Sequence, residues 1–123
     1  MTNTLPISLS DHLKIGGTEI LLMAGPCSVE SYEQTYAVAK SMNALGLKVL
    51  RGGAFKPRTS PNAFQGLGLE GLKILRQVAE EFGLLVISEA LGVEQLPLVA
   101  EYSDIIQIGS RNMQHFPLLW AAG

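Results

Sequence analysis

The chain has 123 residues, of which 47% are apolar and 16% charged, so one domain can bury a core and disorder is excluded. The formal net charge of −2 leaves no broad basic field for nucleic acid. A single cysteine cannot form an internal disulfide and no apolar run is long enough to span a membrane, which predicts a cytoplasmic protein without membrane partners.

Strand and helix patterns alternate from the start of the chain. Residues 1–18 are polar and mixed, and predict an N-terminal arm or a short leading strand before a main domain at 19–123. The apolar run 20–24 predicts a buried strand, and an amphipathic helix follows at 31–45. A second strand at 47–50 leads into a long loop.

The alternation continues to the end of the chain. A helix with one apolar face ends at Gly83, a strand covers 84–88, a helix covers 93–102, and a strand at 104–108 precedes a last helical stretch. Four further apolar side chains are predicted to lie in the core: Met23, Met42, Met113 and Trp120. Unbroken apolar strands that alternate with helices predict a parallel sheet covered by helices.

The segment 50–60 is the strongest functional signal. Arg51, Lys56 and Arg58 lie within eight residues directly after a strand, and two glycines and a proline restrict the backbone between them. Arginine suits a planar carboxylate or phosphate, and lysine supplies a point charge. A solvent-exposed basic loop is the alternative. The apolar strand and stiff turn favour a site for a phosphorylated or carboxylated small molecule.

Other polar residues follow the strands in the same way. Arg111 lies just beyond the fourth strand at a helix start, where a cation opposes the helix dipole and therefore indicates a bound anion. Glu89 follows the third strand and can orient a cation, act on a proton or form a simple salt bridge. Thr59 and Ser60 can donate hydroxyl hydrogen bonds to a phosphate.

Cys27 follows the first strand in a Gly-Pro-Cys-Ser turn. A free cysteine is usually a small buried apolar residue, and a thiolate metal ligand is the functional alternative. His12 and His115 have no zinc-type spacing to it, so the sequence alone does not complete a metal site.

Three segments together resemble a known family. Residues 24–31 (AGPCSVES), 56–60 (KPRTS) and 107–112 (QIGSRN) are similar to class I 3-deoxy-D-arabino-heptulosonate 7-phosphate (DAHP) synthases of the shorter microbial branch. The similarity runs from Gly16 to the end of the chain. It implies a (β/α)₈ barrel that condenses phosphoenolpyruvate with erythrose 4-phosphate, the first step of the shikimate pathway to the aromatic amino acids.

The resemblance also implies residue roles. Cys27 matches the cysteine ligand of a divalent metal of the manganese, iron, cobalt or zinc type. The residues that match the phosphoenolpyruvate clamp are Arg51, Lys56 and Arg111, of which Arg51 and Lys56 are also the expected catalytic residues. The residues that match the erythrose 4-phosphate contact are Arg58, Thr59 and Ser60. Glu89 matches an acid beside the phosphoenolpyruvate site.

Length is the main departure from the family pattern. A (β/α)₈ barrel takes roughly 250 residues, so the expectation is a truncated chain that holds the first four strand–helix units. In the family the other metal ligands and a further lysine come later. The 123 residues alone are therefore expected to be inactive, and the complete protein to be a homo-oligomer.

Two other readings remain open. One is an inactive phosphate-binding half-barrel module formed by self-association. The other is the sister 3-deoxy-D-manno-octulosonate 8-phosphate synthase, which shares the Gly-Pro-Cys turn but has an Asn-Arg-Ser type loop. The Lys-Pro-Arg-Thr sequence at 56–59 favours the four-carbon aldose phosphate.

Overall fold

A β-hairpin opens the described part of the chain. The computed structural model describes residues 5–123, in which β1 (Ile7–Ser10) and β2 (Leu13–Ile15) pair antiparallel. Residues 7–15 of the predicted arm at 1–18 thus form a hairpin, and residues 1–4 lie outside the described residues. The domain division after residue 18 stays a prediction.

The main sheet has four parallel strands in chain order. They are β3 (Met23–Ala24), β4 (Val49–Arg51), β5 (Leu85–Glu89) and β6 (Ile105–Gln107). Each pairs with the next, so β3 and β6 form the two edges of this sheet. The predicted alternation and the parallel sheet are confirmed.

Four α-helices connect or follow the strands: α1 (Tyr32–Ala44), α2 (Leu69–Phe82), α3 (Leu96–Tyr102) and α4 (Phe116–Ala122). A 3₁₀ turn, Ser110–Asn112, precedes α4. Ser31 caps α1 by accepting a hydrogen bond from the backbone N–H of Gln34 at 3.1 Å. Gly83 ends α2 in the left-handed conformation, at φ 64°. No helix among residues 5–123 is long and apolar enough to cross a membrane.

The two faces of the main sheet have different roles. Leu50 lies opposite Val86 in the register, and both side chains join the core formed with α1 and α2. Arg51, Glu89 and Gln107 alternate with these apolar residues and therefore project from the opposite face. All three are the last residues of their strands. The pleat thus buries apolar residues under the helices and directs polar ones to the carboxyl edge of the sheet.

Several predicted positions were wrong. The strand expected at 20–24 contains only Met23–Ala24, and Ile20 is 88% exposed, because β3 has one neighbour to cover it within the described chain. Met42 is buried as predicted, whereas Met23, Met113 and Trp120 are exposed. In α4 the buried residue is Leu118, which lies about 200° around the helix from Trp120.

The third helix begins later than predicted. Residues 93–95 form a turn and α3 starts at Leu96, so Pro97 lies in its first turn, where no backbone N–H is needed. Glu89 was expected after its strand but is the last residue of β5. Its backbone is therefore fixed by the ladder to β6, which holds the carboxylate more firmly than a loop would.

Candidate functional site

A cavity of ≈ 250 Å³ lies at the carboxyl edge of the four-stranded sheet. It gathers four cationic side chains that the sequence places in two separate segments: Arg51, Lys56, Arg58 and Arg111. The other lining residues are Cys27, Pro57, Glu89, Gln107, Gly109 and Ser110. Ends of parallel strands are where α/β proteins bind their ligands. The cavity is therefore the candidate functional site.

Lys56 reaches the cavity because Gly53 leaves room for its side chain. A Cβ on Gly53 would lie 2.7 Å from the carbonyl oxygen of Cys27 and 2.8 Å from Cδ of Lys56. The backbone N–H of Lys56 donates to the carbonyl of Gln65 at 2.8 Å, which closes the long loop behind it. The lysine side chain is folded back toward the sheet and the residue is only 7% exposed.

The ammonium group of Lys56 is hydrogen-bonded to Cys27. Lys56 Nζ donates to the Cys27 carbonyl oxygen at 3.0 Å and lies 3.4 Å from Cys27 Sγ. The hydrogen bond and positive charge of Lys56 lower the pKa of the Cys27 thiol against the opposing effect of burial, and Arg51 makes a smaller contribution in the same direction as Lys56. The cysteine is exposed, so the expectation of a small buried apolar residue is wrong, and its surroundings favour a thiolate.

Three hydrogen-bond acceptors hold the guanidinium group of Arg51. Its guanidinium donates to the carbonyl oxygens of Cys27 at 3.4 Å and Pro26 at 3.5 Å, and its Nε lies 3.5 Å from Oε1 of Gln107. These long contacts orient the guanidinium without neutralising it, because none of the acceptors is charged. Arg51 therefore keeps its full charge for a ligand.

Glu89 is a buried acid beside these cations. It is 6% exposed and lies opposite Gln107 in the ladder between β5 and β6. Within the described residues it forms no salt bridge, so the simple structural ion pair considered from the sequence is not found there. A buried carboxylate near several cations moderates their mutual repulsion, which makes it a candidate for orienting them.

Two of the predicted ligand contacts lie outside the cavity lining. Thr59 and Ser60 are exposed and do not line it, and Ser60 Oγ instead accepts from the backbone N–H of Asn62 at 3.4 Å. Arg58 does line the cavity, and its Nε donates to the carbonyl of Phe64 at 3.3 Å. The proposed contact of these three residues with a second phosphate stays a prediction.

The sequence reasoning missed two polar residues at the site. Gln107 lines the cavity and contacts Arg51, and its position as a polar residue at the end of an apolar strand was a signal of the same kind as Glu89. Ser28 follows Cys27, and its buried hydroxyl oxygen has no hydrogen-bond partner among the described residues. No feature of the sequence distinguishes Ser28 from an ordinary turn serine.

The described residues do not form a metal centre on their own. Across residues 5–123 no three His, Cys, Asp or Glu side chains are grouped closely enough to hold a metal ion. Cys27 fits as one ligand, because its sulfur is exposed and its thiolate is favoured. His115 does not line the cavity. The metal role of Cys27 therefore stays a prediction.

Four parallel strands in chain order, each followed by helical structure, match the first half of a (β/α)₈ barrel. The model of the DAHP synthetase I family matches residues 4–123, and the chain belongs to this family.

Sequence similarity to two named proteins supports this family membership. The chain is 56% identical over 117 residues to a phospho-2-dehydro-3-deoxyheptonate aldolase of Thermotoga maritima, covering 95% of this chain and 34% of that protein. It is 38% identical over 128 residues to a 2-dehydro-3-deoxyphosphooctonate aldolase of Syntrophotalea carbinolica, covering 94% and 46%. The chain thus spans less than half the length of these relatives.

Solved structures establish the fold. A crystal structure of DAHP synthase from Thermotoga maritima superposes with a TM-score of 0.91 and 55% identity, covering 96% of this chain and 34% of that one. A truncated form of the Thermotoga maritima enzyme gives a TM-score of 0.83 at 47% identity, and 41% of its chain is covered. The four strand–helix units are therefore part of a (β/α)₈ barrel, as the sequence predicts.

Proposed function

We propose that this chain is the part of a DAHP synthase that binds the anionic groups of both substrates. The complete enzyme condenses phosphoenolpyruvate with erythrose 4-phosphate to give DAHP and phosphate, which begins aromatic amino acid biosynthesis. The observation that carries the proposal is the single cavity in which Arg51, Lys56, Arg58 and Arg111 meet. The similarity to a heptonate aldolase and to a solved DAHP synthase structure, both from Thermotoga maritima, supports it.

The cations bring two polyanions together. Phosphoenolpyruvate carries a carboxylate and a phosphate, and Arg51, Lys56 and Arg111 line one cavity as a clamp of three cations. Lys56 is nearly buried, so water screens its charge less than that of a surface lysine. Holding both substrates in one place lowers the entropic cost of their reaction. Glu89 lies in the same cavity, where its carboxylate reduces the mutual repulsion of the cations, and Arg51 contacts Gln107.

The reaction makes one carbon–carbon bond and releases one phosphate. C3 of phosphoenolpyruvate attacks the aldehyde carbon, water adds to C2, and the phosphate leaves from the resulting hemiketal. Arg51, Lys56 and Arg111 stabilise the negative charge on the departing phosphate. A divalent metal would supply Lewis-acid polarisation of the aldehyde when bound, and Cys27 would provide one ligand through Sγ. Arg58, Thr59 and Ser60 are proposed to bind the phosphate of erythrose 4-phosphate.

The sister octulosonate reaction ranks second. The chain is 56% identical to the heptonate aldolase and 38% identical to the octonate aldolase, over nearly the same residues. The Lys-Pro-Arg-Thr loop at 56–59 also favours the reaction with erythrose 4-phosphate. We further propose that the complete enzyme is a cytoplasmic homo-oligomer, which the single free cysteine permits.

Calorimetric titration of the chain with phosphoenolpyruvate tests the clamp. Arg111→Ala is expected to weaken binding by about 1.5–3 kcal/mol, because one charge-assisted contact is lost. Lys73→Ala is the matched control, since Lys73 is an exposed cation on α2 outside the cavity, and its affinity should equal that of the unmodified chain. Equal affinity in the Arg111 variant, or no binding by the unmodified chain, would contradict the proposal. Tighter binding of arabinose 5-phosphate than of erythrose 4-phosphate would favour the sister reaction.

A further inference from the structure

Gly109 lines the cavity just beyond the end of β6. Its backbone has φ −73° and ψ 161°, an extended conformation that any residue adopts, so the path of the chain does not require a glycine there. Space is what requires it. A Cβ on Gly109 would lie 2.8 Å from Cδ of Glu89 and 3.3 Å from its Oε2, and closer still to its Oε1. The carboxylate of Glu89 therefore occupies the place that a side chain at position 109 would take.

The backbones on both sides of this contact are held by hydrogen bonds. Glu89 pairs with Gln107 in the ladder between β5 and β6, and the N–H of Ala90 donates to the carbonyl of Gln107 at 3.3 Å. The carbonyl of Gly109 accepts from the N–H of Asn112 at 2.9 Å, which closes the 3₁₀ turn. A side chain added at position 109 must therefore be accommodated by the side chain of Glu89, which is the flexible part of the contact.

We propose that Gly109 is a positioning residue that keeps the Glu89 carboxylate out of the space that a bound anion takes. This role rests on the proposed binding of phosphoenolpyruvate. Because Arg51, Lys56 and Arg111 line the same cavity, a carboxylate displaced into it competes with the ligand for these cations. In its observed place, against the α-carbon of Gly109, the carboxylate only moderates their mutual repulsion.

The length of the acid at position 89 and the size of the residue at position 109 act as one steric unit. Aspartate is one methylene shorter than glutamate, so Glu89→Asp draws the carboxylate back from Gly109 and leaves room for a Cβ. The two substitutions should therefore compensate each other. Substitutions at independent sites add their effects instead.

A double-mutant cycle read by calorimetric titration with phosphoenolpyruvate tests this unit. Gly109→Ala should weaken binding about tenfold, because like charges brought together in the cavity repel. Adding Glu89→Asp to Gly109→Ala should recover most of the lost affinity. Urea denaturation of the same proteins separates a purely structural role. A glycine needed only for folding would lower the urea midpoint and leave the affinity of the folded protein unchanged.

Gly92→Ala is the matched control. A Cβ on Gly92 would also meet a carboxylate, at 2.6 Å from both oxygens of Glu94, but Glu94 is exposed and neither residue lines the cavity. This variant should bind phosphoenolpyruvate like the unmodified chain. Full affinity in Gly109→Ala, or no recovery in the double variant, would overturn the positioning role and leave the cation clamp in place. No binding by the unmodified chain would overturn the clamp and the positioning role together.

Discussion

At the scale of single residues, the contact between Lys56 and Cys27 sets the chemistry of the cavity. The lysine charge favours the thiolate, and the pKa of the thiol is therefore lowered. Thiolate, rather than thiol, is the form that binds metals and reacts with electrophiles. The same contact thus underlies the expected metal role of Cys27.

Alkylation kinetics should report this contact. The rate with iodoacetamide follows the thiolate fraction, and Cys27 is the single cysteine, so the signal has one source. In the unmodified chain, the midpoint, which is the pH at which the alkylation rate reaches half its maximum, should be lower than for a free thiol. Lys56→Gln should raise the midpoint, and Lys48→Gln, at an exposed lysine outside the cavity, should leave it unchanged. A midpoint that is the same in all three proteins would show that Lys56 does not act on the sulfur.

The cations that line the cavity were predictable from the sequence, including Lys56 and Arg58 in the long loop, but the positions of two neighbouring loop residues were not. Arg51, Glu89 and Arg111 could be placed together because parallel strands bring their carboxyl ends to one edge. Thr59 and Ser60 could not be placed, since the path of the long loop depends on contacts such as Lys56 to Gln65 that have no sequence signal. Gln107 was missed because an amide carries no charge to mark it.

At the scale of elements, helix ends were predicted within one residue where a capping residue marks them. Ser31 begins α1 and Gly83 ends α2, as expected. The strand expected at 20–24 and the core position of Trp120 failed because hydrophobicity alone does not say which neighbour covers a residue. Burial is a tertiary property, and these residues have little protein around them within the described chain.

The contribution of the Ser31 N-cap of α1 to stability can be tested directly by substitution. Ser31→Ala removes the acceptor for the N–H of Gln34 and should lower the free energy of unfolding by about 1 kcal/mol. Ser41→Ala is the matched control, because Ser41 lies inside α1 and its hydroxyl only donates to the carbonyl of Ala37. Urea denaturation followed by circular dichroism measures both. An equal effect of the two substitutions would show that the cap does not stabilise the helix.

At the scale of the whole molecule, the sheet has two edges and an incompletely covered face. An unclosed half-barrel is expected to expose inward-facing apolar side chains, here Leu22, Val49, Val86 or their neighbours. Leu22 is 59% exposed, but Val49 and Val86 are fully buried, so that part of the expectation was wrong. Val86 packs under the helices, and Val49 lies between Met23 and Leu85 in the sheet. Exposed apolar side chains remain at Ile20 and Trp120.

Self-association of the 123-residue chain is the expected consequence. Unpaired strand edges and exposed apolar side chains recruit other chains, so the sedimentation coefficient should rise with protein concentration. The same preparation should release no phosphate from the two substrates, since the described residues do not complete a metal site. A monomer at all concentrations that turns over both substrates would contradict this view of the molecule.

The most direct test of the central claim is a crystal structure of the protein grown with phosphoenolpyruvate. The claim is that the carboxyl edge of β4, β5 and β6 binds this substrate through its converging cations. The predicted result is one ligand whose phosphate and carboxylate lie within hydrogen-bond distance of Arg51, Lys56 and Arg111. Phosphoenolpyruvate bound elsewhere, or an empty cavity at saturating ligand, would contradict it.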